Sequence, residues 1–266
     1  MPLINPFFRL PGRWSRRRAR KTRMALQLLA LAVLLLVLLP AYVIYKPPKS
    51  VISYLQSLNP SVLFQIQTSR KTVALTIDDA PSPYTREILD VLKENDATAT
   101  FFVIGNQVPG NEDILADILR AGHELGNHAM HDEPSVSLSS DVLAQEIHHV
   151  DTLIDHAYEQ SGRVRSGHYF RPGSGVFSQR ILAIAEKAGY QTILGSIYPH
   201  DPFISRWRIN AWHILSSLRP GAVIICHDRR SWTVPMLRKA LPGMKQKGFE
   251  VASVSGLLAL LDESRS

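Results

Sequence analysis

VALTIDDAPSPYTREILDVLKENDATATFFVIG, Val73 to Gly105, is the stretch from which the architecture can be read. Val73 to Ile77 is apolar and partly β-branched, which predicts a strand. REILDVLKEN then repeats apolar side chains at helical spacing, and ATFFVIG (Ala99 to Gly105) returns to strand character. A helix between two strands is the usual crossover of a parallel pair, because parallel strands cannot be joined by a tight turn.

The alternation continues toward the C-terminus. EDILADILRAG, VLAQEIHHVDTLIDHAYEQ, RILAIAEKAG and VPMLRKALPGMKQKG read as helices, several ending at a glycine, while AVIIC and FEVASV read as strands. This predicts an α/β domain, a mainly parallel sheet covered by helices, either doubly wound or closed into a barrel. In such folds active sites gather at the C-terminal ends of the strands. Four strand ends carry polar residues suited to chemistry.

Asp78 and Asp79 follow the first strand directly. A helix cap needs one aspartate, whereas two adjacent carboxylates repel unless a cation or a shared proton intervenes. GHELGNHAMHDEPS gathers His123, His128, His131, Asp132 and Glu133, a density that suits an ion better than a lone structural histidine would. HYFRPGSG places Arg171 before a turn through Pro172, Gly173, Ser174 and Gly175, which suits either an ordinary surface turn or amide donors aimed at an oxyanion. In IICHDRRSW, His227 and Asp228 end a strand and offer a general acid or base.

In this order the four places resemble the polysaccharide deacetylase family, also called the NodB-homology family or carbohydrate esterase family four. TIDDAP resembles T-F-D-D-G-P, GNHAMHD resembles H-[ST]-x-x-H, RPGSG resembles R-x-P-[YF]-G and IICHD resembles L-x-H, so the likeness runs from about Thr72 to Leu261. The resemblance implies a distorted (β/α) barrel of seven or eight repeats that removes N-acetyl groups from N-acetylglucosamine-containing glycans such as chitin-like oligomers or cell-wall polysaccharide. It also implies a divalent ion, commonly zinc.

Carried over residue by residue, the resemblance makes Asp78 the general base and Arg171 its charged partner. The backbone N–H of Ser174 becomes an oxyanion donor, His227 the acid for the leaving amine, and Asp201 in YPHDPF the support of His227. The metal ligands become Asp79, His128 and Asp132.

Three positions depart from the pattern: Ala80 stands for a glycine, Ser174 for an aromatic residue and Asp132 for the second histidine. His131, one residue short of the family spacing, is the rival ligand. A carboxylate in place of an imidazole hardens the ligand set, which lets manganese, cobalt or iron compete with zinc. Two other functions stay open: hydrolysis of a non-sugar amide or imide, and a catalytically silent, membrane-tethered glycan-binding module.

Toward the N-terminus, Met24 to Tyr45 is uncharged and long enough to cross a hydrocarbon layer of about 30 Å as one helix. A cleaved signal peptide has a shorter apolar core and a small-residue cleavage site, so a membrane anchor is the expectation. Residues 1–23 carry eight basic and no acidic side chains, which predicts a cytoplasmic tail and an extracytoplasmic catalytic domain. That block also explains the net charge of +7, since it leaves 22 of the 30 basic residues against 23 acidic ones. A nucleic-acid-binding domain would keep its basic surface.

Residues 46–71, with KPPKS and NP, read as a stem, and 72–263 as the catalytic domain. Cys226 is the single cysteine, so no intrachain disulfide exists.

Overall fold

The computed structural model describes residues 13–263. The first twelve residues of the expected basic tail, Arg9 among them, lie outside the described residues. Two compact units divide the chain, Met1–Pro47 and Pro48–Ser266. In the first, α1 (Arg13–Val33), a π-helical turn (Leu34–Leu38) and α2 (Leu39–Tyr45) follow one another without a break. Among the described residues, Arg17–Tyr45 is the one helix long and apolar enough to cross a membrane. Its leucines are exposed within the protein, as a surface for lipid would be.

The second unit opens with α3 (Lys49–Leu58) and β1 (Val62–Leu63). Strand and helix then alternate seven times: β2 (Thr72–Ala80), α4 (Thr85–Glu94), β3 (Thr100–Val103), α5 (Glu112–Arg120), β4 (Glu124–Asn127), α6 (Ser140–Ser161), β5 (Tyr169–Phe170), α7 (Gln179–Lys187), β6 (Gln191–Ile193), α8 (Trp207–Ser217), β7 (Val223–His227), α9 (Thr233–Gln246), β8 (Glu250–Ala252) and α10 (Val254–Glu263).

The strands are parallel, in the order β1-β6-β5-β4-β3-β2-β7, and β8 pairs with the start of β2. The sheet curls until its edges touch through bridges between Gln65 and Ala222 and between Ile197 and Ile224. This is the distorted barrel that the family resemblance implies.

Side chains alternate along β2. Val73, Leu75 and Ile77 face the helix layer, packing into one core with Ile88 and Leu92 of α4 and Leu237 of α9. Ala74 faces the barrel interior with Phe102, Tyr169, Ile193 and Val223, where Val254 and Leu257 of α10 join them. Val254 donates its amide to Thr100 Oγ1 at the start of β3 (2.8 Å), which ties α10 to the N-terminal ends of the strands. Each such buried aliphatic side chain contributes about 1.5–3 kcal/mol.

The alternation breaks once. Pairing with β3 slips between Ile77 and Ala80, Asp79 takes a φ of 65°, and Ala80 rejoins the helix-facing core. The bulge turns both aspartates toward one cavity, which a regular strand would not do.

Two expectations need correction. The stretch read as a stem is partly folded: Ile52 of α3 is buried with Val62, Phe64, Leu182 and Leu194, and Gln56 Oε1 accepts the amides of Phe64 and Gln65 at 3.1 and 3.0 Å. Polar composition and prolines hid a helix whose apolar contacts come from far along the chain.

The second concerns His123. It precedes β4, at the opposite end from the strand-end residues, and packs against Phe101 while Nδ1 accepts the Ala99 amide (3.3 Å). Burial pushes its pKa down from 6.5 to about 4. The unfolded chain therefore takes the proton first, so this contribution to stability is complete above about pH 6.5 and is lost as pH falls toward 4. We expect His123→Gln, which keeps an acceptor, to flatten the melting temperature between those pH values. An acid limb unchanged from wild type would show that His123 does not govern it.

Candidate active site

The C-terminal ends of the strands surround a cavity of about 580 Å³, lined by Asp78, Asp79, His128, Asp132, Arg171 and Ser174, with Tyr198, Phe203, His227 and Arg230 completing the wall. They enter in pairs from five strand ends or the loops after them, those of β2, β4, β5, β6 and β7. Of the six non-glycine residues with positive φ among the described residues, five sit in these strand ends and loops: Asp79, Ala129, Ser174, His200 and Arg229. Such backbone, costing of order 1–3 kcal/mol per residue, persists where the surroundings over-determine it.

Arg171 organises the interior. The residue is 1% exposed, and its guanidinium carbon lies 4.2 Å from the centre of the Phe102 ring. Nε donates to Ile193 O (3.1 Å), Nη2 to Leu194 O (3.2 Å), and Nη1 to Thr76 Oγ1 (2.7 Å) and to Asp78 Oδ1. Asp78 thus has Oδ1 engaged by Arg171. Its Oδ2 faces His227 Nε2 across 3.9 Å.

His227 is held from behind. Its Nδ1 lies 3.0 Å from Asp201 Oδ1, its backbone N–H donates to Asp201 Oδ2 (2.8 Å), and Trp232 Nε1 donates to Asp201 O (2.9 Å). Burial alone would lower the imidazole pKa, but the carboxylates of Asp201, then Asp78 and Asp79, push it up to about 9. The ring is an acid at neutral pH, with Nδ1–H fixed on Asp201 and Nε2–H toward the cavity.

Asp79 is different. It is buried, yet neither side-chain oxygen accepts a hydrogen bond. Burial raises its pKa, neighbouring Asp132 and Asp78 raise it further, and His128 and His227 oppose them. A desolvated carboxylate without hydrogen bonds calls for a cation.

One atom each from Asp79, His128 and Asp132 lies within 4.8 Å of the others. His128 donates Nδ1–H to Arg171 O (2.6 Å), so in the neutral ring Nε2 carries the lone pair, 3.9 Å from Asp79 Oδ1. Asp132 closes the cluster from the exposed side. The donor set fits a divalent ion of borderline or hard character.

The structure brings Asp78, Asp79, His128, Asp132, Arg171, Ser174 and His227 to the cavity wall and places Asp201 behind His227. It does not bring His131 there, which sits 3.7 Å from Glu146 Oε1 in a separate group with Glu133. Nor does Asp228 reach the cavity. Its buried carboxylate accepts from Ser82 Oγ, Thr85 Oγ1 and the Arg229 amide, clasping the turn after β2 to the turn after β7.

Close packing joins the remaining loops. A Cβ on Gly173 would meet Glu133 O at 2.0 Å, so the Arg171–Gly175 turn presses directly on the loop that carries Asp132.

Sequence reasoning missed three of these wall residues, Tyr198, Phe203 and Arg230. Phe203, 82% exposed, and Arg230 lie in polar loops where nothing in composition marks them. Membership of YPHDPF and IICHDRRSW was the one available signal.

The sequence profile described as Polysaccharide deacetylase matches residues 65–193. A peptidoglycan-N-acetylglucosamine deacetylase from Bacillus cereus is 33% identical over 203 residues, covering 74% of this chain and 92% of the relative. A chitooligosaccharide deacetylase from a Bradyrhizobium species is 30% identical over 199 residues, covering 68% of this chain and 88% of the relative. Among solved structures, a carbohydrate esterase family 4 pseudoenzyme from Bacillus anthracis superposes with a TM-score of 0.68 at 29% identity, covering 77% of this chain and 71% of its own.

Proposed function

The chain belongs to the polysaccharide deacetylase family, and from that premise we propose that it hydrolyses N-acetyl groups on N-acetylglucosamine-containing glycans at a divalent ion bound by Asp79, His128 and Asp132. The observation that carries the metal is the pair of buried Asp79 oxygens with no hydrogen bond, beside the lone pair of His128. A divalent ion there supplies polarisation of the acetyl carbonyl and a lower pKa for the attacking water. One imidazole and two carboxylates suit zinc but also manganese, cobalt or iron.

The residues divide the remaining work. Asp78, with Oδ1 held by Arg171, takes the proton of the attacking water at Oδ2. His227 delivers its Nε2 proton to the departing nitrogen, and Asp201 keeps the ring oriented through Nδ1. The Ser174 backbone N–H assists the oxygen that gains charge, and its turn is held by the Gly173 amide on Ser135 Oγ (2.8 Å).

We test this by acetate release from N-acetylglucosamine oligomers and from peptidoglycan. Acetate is expected, lost on chelation and regained with zinc, manganese or cobalt. Tight glycan binding without acetate after metal is restored would favour the silent module.

The apolar Arg17–Tyr45 helix supports a single-pass anchor with its basic side cytoplasmic and the domain outside. Protease added to intact cells is expected to remove the domain. Digestion restricted to the cytoplasmic side would reverse that topology.

A further inference from the structure

Arg230 takes no part in the hydrolysis described above, although it lines the same cavity. Its guanidinium is 3.6 Å from Asp79 Oδ2, an ion-pair contact beyond hydrogen-bond reach, and its side chain is 23% exposed. Arg171 has all its nitrogens engaged with Asp78, Thr76 and two carbonyls. Arg230 has no hydrogen bond from its side chain among the described residues, so its donors face the space a substrate fills.

This placement is built into the backbone. Arg229 adopts a φ of 58°, and its amide donates to Ser82 Oγ (3.2 Å) and Asp228 Oδ1 (2.8 Å). Asp228 is itself pinned by Ser82 and Thr85, and the carbonyl of Arg230 accepts the Thr233 amide at the start of α9 (3.0 Å). The segment carrying Arg230 is therefore clamped on both sides.

The electrostatics of the cavity give the arginine a purpose. Arg171 pairs with Asp78, and the ion proposed above would balance Asp79 and Asp132, so the carboxylates of this wall are already matched by positive charge. The guanidinium of Arg230, with unengaged donors, is then surplus positive charge beside the cavity and offers a fork that fits a carboxylate.

We propose that Arg230 binds a carboxylate carried by the substrate on the acetylated sugar or its neighbour, so that the substrate class is an anionic N-acetylated glycan. This rests on the deacetylase reading of the site. The carboxylate has two chemical sources, an acid ether on the acetylated sugar itself or a uronate on the adjoining one.

The test uses the full chain with three probes: a neutral N-acetylglucosamine tetramer, peptide-free glycan strands of alternating N-acetylglucosamine and N-acetylmuramic acid, and a hyaluronan oligomer. Wild type is expected to prefer one carboxylate-bearing probe, and which one identifies the source. Arg230→Gln should lower the anionic-to-neutral ratio of kcat/KM by roughly 10- to 100-fold, mainly through KM, with Arg230→Lys between the two. No preference in wild type, or an equal loss on all three probes in Arg230→Gln, overturns the proposal.

Absence of acetate from every probe would sink the deacetylase reading alone, because equilibrium binding by calorimetry still decides. The inference then requires wild type to bind a carboxylate-bearing probe at least tenfold more tightly than the tetramer, a margin that Arg230→Gln removes. Equal affinities would end it.

Discussion

Asp78→Asn is expected to cut turnover by about 10³-fold while leaving bound metal at wild-type content, within the range that a positioned base contributes. The amide keeps an oxygen for Arg171 but loses the basic Oδ2 that faces His227 Nε2. It also leaves a fully buried guanidinium without its anion, a change that costs about 3–5 kcal/mol when a buried pair is broken outright. The melting temperature should therefore be measured alongside acetate release and metal content. A folded variant with more than a tenth of wild-type activity would remove Asp78 from the role of base.

Asp132→Ala should lose both the ion and the activity, whereas His131→Ala should keep both. Asp132 lines the cavity and shares the ligand cluster with Asp79 and His128, while His131 turns to Glu146. Removal of a supporting partner outside the ligand set costs a metal site about 10- to 100-fold in affinity, so loss of a ligand should exceed that. Metal content after dialysis at matched protein concentration gives the comparison. Loss of the ion in His131→Ala with retention in Asp132→Ala would exchange their roles.

Legibility in the sequence followed the burial of each element. β2, β3 and β7 were plain because a strand buried on both faces must be apolar throughout, as VALTI, TFFV and VIIC are. β4 was not, since ELGN is mostly polar and owes its form to pairing with β3, where Gly126 admits the Phe102 ring that a Cβ would meet at 2.7 Å. β5 has two residues and β6 three, too few for a period to register. α8 escaped because its aromatic and basic residues fall on no single face.

The same distinction runs through the site. Asp78, Asp79, His128, Arg171 and His227 stand at or beside strand ends, where the rule about parallel sheets looks for them. Asp228 satisfied that rule too, yet its side chain went to the loop clasp, because neighbouring residues at a strand end need not face the same way. Phe203 and Arg230 depend on how long loops return, which no spacing encodes.

The bulge at Asp79 makes the two-aspartate signature a poor candidate for transplantation. Pasted onto an unbroken strand of another barrel, the same pair of letters would aim one acid at the interior and drive the other into the helix layer, stranding a charge whose desolvation costs several kcal/mol. A designer who wants this centre elsewhere must carry over the extra residue in the strand and the slipped pairing opposite it, with Ala80 as the point where the two registers meet again.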